Sequence, residues 1–86
     1  MIDYELINDN LTKVCIHYEK SSPVVSRWAD DLYMRINDNP REVKLGEIII
    51  LNQLFGDGGL IPANYAQNII YKHLETLGKA EGILSF

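Results

Sequence analysis

The stretch Ser22-Pro23-Val24-Val25-Ser26-Arg27-Trp28-Ala29-Asp30-Asp31-Leu32-Tyr33-Met34-Arg35-Ile36-Asn37-Asp38-Asn39 decides how this chain folds. Ser22 followed by Pro23 is a helix opening: a hydroxyl suited to capping free backbone N–H groups, then a residue whose fixed φ fits the first helical position. Val25, Trp28, Ala29, Leu32 and Ile36 recur at three- and four-residue spacing, and Asn37-Asp38-Asn39 ends the pattern. The segment is a helix with one apolar face, and that face needs partners.

Two further helices follow downstream. Asn39-Pro40-Arg41-Glu42 repeats the opening, with a glutamate three residues after the cap. Val43, Leu45, Ile48, Ile49, Leu51, Leu54 and Phe55 then make a broad apolar face, with Gly46 inside it at some cost in helix propensity. Gly56-Asp57-Gly58-Gly59 stops this helix and turns the chain. The last helix begins at Pro62, with Tyr65, Ala66, Ile69, Ile70, Leu74 and Leu77 on one face and Gly78 at the position of a C-terminal glycine. Beyond it, Lys79 to Phe86 is too short for another helix. Its apolar end, Ile83-Leu84-Ser85-Phe86, either docks onto the core or is offered to a partner.

Upstream, the reading divides. Tyr4 to Ile7 and Thr12, Val14, Ile16 and Tyr18 alternate around Asn8-Asp9-Asn10 like a β-hairpin. Ile7, Leu11, Val14, Cys15 and Tyr18 equally fit one helix face. Context favours the helix, because an isolated two-stranded hairpin is marginal and no third strand follows. The expected fold is thus all-α, an antiparallel up-and-down four-helix bundle with a short C-terminal tail; the alternative is a β-hairpin plus three helices. Its core takes Val14, Cys15, Tyr18, Trp28, Leu32, Ile36, Ile48, Ile49, Leu51, Leu54, Phe55, Ile69, Ile70, Leu74 and Leu77. With 86 residues, the chain is one domain spanning 1–86.

Composition narrows the function. Eight basic residues against 12 acidic ones give a net charge of −4, and the scattered Lys and Arg positions form no stripe. Nucleic acid is not an expected partner, since phosphate contacts need a clustered basic surface. Cys15 is the only cysteine, so no intramolecular disulfide exists. The start lacks a signal peptide's basic and apolar regions, and the longest apolar run, Ile48 to Leu51, is far short of a membrane span. The expected compartment is the cytoplasm.

No constellation of residues points to catalysis. His17 and His73 lack neighbours at metal-ligand spacing, so no metal or cofactor is expected. Cys15 falls on an apolar helix face, where a cysteine is usually a small buried hydrophobe. Gly56-Asp57-Gly58-Gly59 lacks the Gly-Lys-Ser/Thr ending of a P-loop and the repeated acids of a calcium loop. Asp30-Asp31 reads as a solvated helix edge. The chain is expected to act by binding, not as an enzyme.

Leu60-Ile61-Pro62-Ala63-Asn64-Tyr65, then Ile69-Ile70 and Leu74, Leu77-Gly78-Lys79 and Glu81-Gly82-Ile83-Leu84 form a pattern of their own. Through these residues the chain from Leu45 to Phe86 resembles the immunity proteins of pediocin-like (class IIa) bacteriocins, the enterocin A immunity family. Leu32-Tyr33-Met34-Arg35-Ile36 matches that family's second helix more loosely. The resemblance implies a four-helix bundle in the cytoplasm, associated with the inner face of the membrane. There it would protect the producing cell by binding the mannose phosphotransferase permease with its bound bacteriocin. It places partner recognition in the last helix and tail, at Asn64, Gln67, Lys72, Lys79, Glu81, Ile83, Leu84 and Phe86. The competing reading is a small phage or mobile-element inhibitor acting by protein–protein binding.

Overall fold

A computed structural model describes residues 3–81, with side chains for residues 3–76. It is dominated by four helices: α1 Tyr4–Tyr18, α2 Pro23–Asp38, α3 Leu45–Gln53 and α4 Ala63–Glu81. The N-terminal stretch is a helix, which sets aside the hairpin alternative there. Asp3 caps it, its Oδ1 accepting from the Leu6 N–H at 3.1 Å, and Glu5 sits in the first turn where a negative charge suits the helix dipole. Its inner face of Ile7, Leu11, Val14 and Tyr18 is buried, and the β-branched Ile16, the odd one out for a helix, is exposed.

A short turn through Ser22 brings α2 back along α1. Cys15 meets Ser26, and the Tyr4 hydroxyl reaches the Pro40 carbonyl at 3.4 Å, so this pair runs antiparallel. It is the most extensive helix contact in the fold. Asn39-Pro40 opens only a single 3-10 turn, Pro40–Glu42, in which Asn39 Oδ1 accepts from the Arg41 N–H. Val43 and Lys44 are extended, and the helix restarts at Leu45. The sequence opening is genuine, but the first helical stretch stops after three residues.

β structure enters where only a turn was expected. Phe55–Gly56 (β1) and Gly59–Leu60 (β2) pair antiparallel, Phe55 opposite Leu60 and Gly56 opposite Gly59. Gly59 has φ +121°, a conformation that side chains disfavour, so a glycine is needed where the loop rejoins the ladder. The Ile61 N–H donating to the Leu54 carbonyl at 3.0 Å extends the pairing by one step. α4 then contacts α2 and α3. It continues through Gly78 to Glu81, so Gly78 is inside the helix and not at its end. Leu77, Lys79, Ala80 and Glu81 are all good helix formers and outweigh one glycine.

Packing corrects the expected core in places. Val14, Tyr18, Trp28, Leu32, Ile36, Leu51, Leu54 and Ile70 are buried as expected, and Ile7, Leu11, Val25, Ala29 and Ala66 join them. Cys15, Ile48, Phe55, Ile69 and Leu74 are half-buried at its margin. Ile49 is 48% exposed and Tyr65 is exposed, so neither faces inward. The Leu77 side chain lies outside the described residues.

Candidate functional site

Each helix of the second half of the chain carries a face that the fold leaves open. α3 reads Leu45-Gly46-Glu47-Ile48-Ile49-Ile50-Leu51-Asn52-Gln53, with its five large aliphatic residues spread around most of the circumference, and such a helix is normally surrounded. Here only Glu47 and Leu51 are buried within it, while Leu45 is 67% exposed. Leu45 and Ile49 are one turn apart, on the side opposite Glu47 and Leu51.

Glu47 explains this orientation. Its carboxylate takes two hydrogen bonds from Arg35 on α2, Nη1 to Oε1 at 3.0 Å and Nη2 to Oε2 at 2.8 Å. Arg35 Nε also donates to Asp31 Oδ2 at 3.0 Å. Burial alone would lower the Arg35 pKa, but the hydrogen bonds and charges of Glu47 and then Asp31 outweigh it and hold it above its ordinary value. A fork-to-fork pair of this kind fixes angle as well as distance. It turns α3 so that a carboxylate is inside and two large aliphatic side chains are outside.

Between α3 and α4 runs a groove lined by Gly46, Ile50, Gln53, Ile69, Lys72, His73 and Thr76. Apart from its chain neighbours and the helix's own backbone, no described atom stands within 4 Å of where a Gly46 Cβ would be, so the α3 wall is low at that point. Among the described residues, Lys72 is the one expected recognition residue in its lining. Asn64 is exposed at the start of α4, about 12 Å along the axis from Lys72 by helix geometry. Gln67 is half-buried, and its Oε1 accepts from the Ser22 Oγ at 2.8 Å, so that oxygen holds α4 against the start of α2. Lys79 and Glu81 belong to the backbone of α4, but their side chains lie outside the described residues, as do Ile83, Leu84 and Phe86 altogether.

Sequence reasoning missed the exposed aromatics. Tyr65 and Tyr71 flank the polar positions of α4, and Tyr71 forms a shallow groove with Pro23, Val24 and Arg27 at the start of α2. The signal was present: Ala66 and Ile70 define the inner face, and Tyr65 and Tyr71 are each one residue off that register.

The remaining chemistry-bearing side chains make structural contacts. His73 meets the Trp28 ring edge-on at 6.4 Å, and His17 meets Tyr18 edge-on at 4.7 Å. Tyr18 hydrogen-bonds through its hydroxyl to the Ile61 carbonyl, and burial pushes its pKa up. Cys15 Sγ lies 3.3 Å from Ser26 Oγ. Among the described residues no group of three or more His, Cys, Asp or Glu could hold a metal ion. No helix among them is long and apolar enough to cross a membrane. No family model, curated protein or solved structure matches this chain.

Proposed function

We propose that this protein confers bacteriocin immunity, and that its four helices form an antiparallel up-and-down bundle presenting α3 and α4 to a partner. It acts in the cytoplasm, at the inner membrane face, on the mannose phosphotransferase permease carrying a bound bacteriocin. It binds and blocks; it makes and breaks no bond. The observation that carries this reading is the unpartnered apolar side of α3, Leu45 and Ile49, beside the α3–α4 groove with Lys72 in its lining. Large exposed aliphatic and aromatic side chains next to a groove are what a protein-binding surface requires. They occur in the same half of the chain that resembles the immunity family.

Expression in a bacteriocin-sensitive strain tests the reading. The expected result is protection against one or a few pediocin-like bacteriocins and not the whole class. Leu45→Ser with Ile49→Ser should remove protection while leaving the helical spectrum and unfolding midpoint intact, since both side chains face outward. A chain cut after Glu81 keeps all of α4 and removes Ile83, Leu84 and Phe86. Loss of protection in a stably folded cut chain assigns recognition to those residues, and full protection removes them from the mechanism. No protection by the full chain against a broad panel refutes immunity and favours the inhibitor class.

A further inference from the structure

α3 is held to the rest of the molecule at few points. Of its nine residues Glu47 and Leu51 are buried, whereas α2 buries Val25, Trp28, Ala29, Leu32 and Ile36. Its start has no side-chain cap, Gly46 weakens the first turn, and Val43 and Lys44 just before it are extended. Its other end is fixed. Leu54 is buried, and its carbonyl accepts from the Ile61 N–H at 3.0 Å, next to the Phe55–Leu60 pair. A short helix with a loose start and an anchored end is free to swing about that end.

The Arg35–Glu47 fork opposes the swing, and its surroundings let it open without stranding a charge. A buried ion pair resists separation chiefly because one partner is left unpaired in the interior. Here Glu47 leaves with α3 and enters water. Arg35 stays on α2, where its side chain is already 36% exposed, and keeps Asp31 at 3.0 Å. What the swing uncovers is apolar: Leu51, and the parts of α1 and α4 against which α3 packs. Leu45, Ile48, Ile49, Ile50 and Leu51 would then all be free to meet a partner.

We propose that α3 is a latch: the Arg35–Glu47 fork holds it shut, and on release α3 swings out about Leu54 while α1, α2 and α4 stay in place. This goes beyond the immunity reading and does not rest on it. Its test needs no partner, and its failure would leave α3 as a fixed face for whichever partner it meets.

The experiment measures how often buried positions open in the folded full chain. Leu51→Cys and Leu32→Cys, each combined with Cys15→Ser, are labelled with a thiol reagent across low urea concentrations. The thiol at position 51 should react about tenfold or more faster than that at position 32, with a much shallower dependence on urea. Arg35→Lys keeps the charge but loses the fork, and should speed labelling at position 51 by about fivefold or more. Equal rates and urea slopes at the two positions would mean that α3 opens only with the whole molecule. Unchanged labelling at position 51 in Arg35→Lys would mean that the fork holds nothing shut. Either result overturns the proposal. The unaltered chain gives a second reading that no cysteine variant can spoil. Thermolysin, which cuts ahead of large aliphatic residues, should make its first cut of residues 3–76 inside 46–53 without urea, and a first cut in α1 or α2 also overturns the latch.

Discussion

Arg35→Met should destabilise the fold more than any other single change at a partly exposed position. The guanidinium holds Glu47 at 3.0 and 2.8 Å, and the Glu47 side chain is only 6% exposed. Removing Arg35 leaves that carboxylate without its partner where water scarcely reaches. Breaking a buried ion pair from one side typically costs about 3–5 kcal/mol. The lower end applies here, because Arg35 is itself 36% exposed and solvent already screens part of the attraction. We expect about 3 kcal/mol, against a total stability on the order of 5–15 kcal/mol for a small domain. Glu47→Leu should cost less, about 1–2 kcal/mol, since Arg35 keeps Asp31 at 3.0 Å and can turn to water. The double variant, with both charges gone and an apolar contact between α2 and α3, should be more stable than Arg35→Met alone. Urea unfolding of the four proteins gives the coupling, provided their denaturant slopes agree. If the double variant is as unstable as the sum of the two singles, the pair is uncoupled and does not orient α3.

Trp28→Ala and Leu54→Ala each empty a buried position and should lower stability by roughly 3–5 and 2–5 kcal/mol, read as earlier denaturant midpoints. Tyr18 should give an alkaline limb. Its pKa is raised by burial, so its contribution is complete below the unfolded value near 10 and is lost as pH rises through the folded value. Tyr18→Phe should flatten that limb above pH 10 and cost about 1 kcal/mol at neutral pH for the lost bond to Ile61. Ser22→Ala should cost about 1–3 kcal/mol by orphaning Gln67 Oε1 and not by uncapping α2, since the Ser22 hydroxyl makes no cap bond. Adding Gln67→Leu should then recover part of the loss; a further drop of similar size would refute the assignment.

How much could be read beforehand differs by helix. α2 was legible at both ends because its signals are local: Pro23 fixes φ, and the apolar period stops where the Asn and Asp residues begin. α1 was ambiguous because β-branched Thr12, Val14 and Ile16 suit either period, and what decides it is burial against α2. α3 was hardest. With Leu45, Ile48, Ile49, Ile50 and Leu51 all apolar, periodicity cannot choose an inner face, and it admits Ile49 to the core although that side chain is exposed. The deciding residue is the polar one: Glu47 shares a phase with Leu51 and Leu54, and a carboxylate there announces a buried cation partner. Of the expected recognition residues, Lys72 lies in the lining of the α3–α4 groove, and its exposed position was legible because it is long, charged and off the apolar register. Gln67 sits at the register's margin, where Ser22, distant in sequence, claims its amide oxygen.

The bond from the Tyr18 hydroxyl to the Ile61 carbonyl joins positions 43 residues apart, the end of the first helix and the approach to the last. In folding, closure should therefore come late. The α1–α2 hairpin needs only the short loop around Ser22 and buries the largest share of the interior, so its nucleus is local and inexpensive in chain entropy. The hairpin at 55–60 and α4 gain their contacts only once the long intervening segment has been ordered. Opening should follow the reverse order. Amide exchange should be slowest in α1 and α2, while α3, with one ion pair and few inward side chains, should exchange before them and below the global unfolding free energy. The helix that offers Leu45 and Ile49 to the outside should then be released without unfolding the α1–α2 pair.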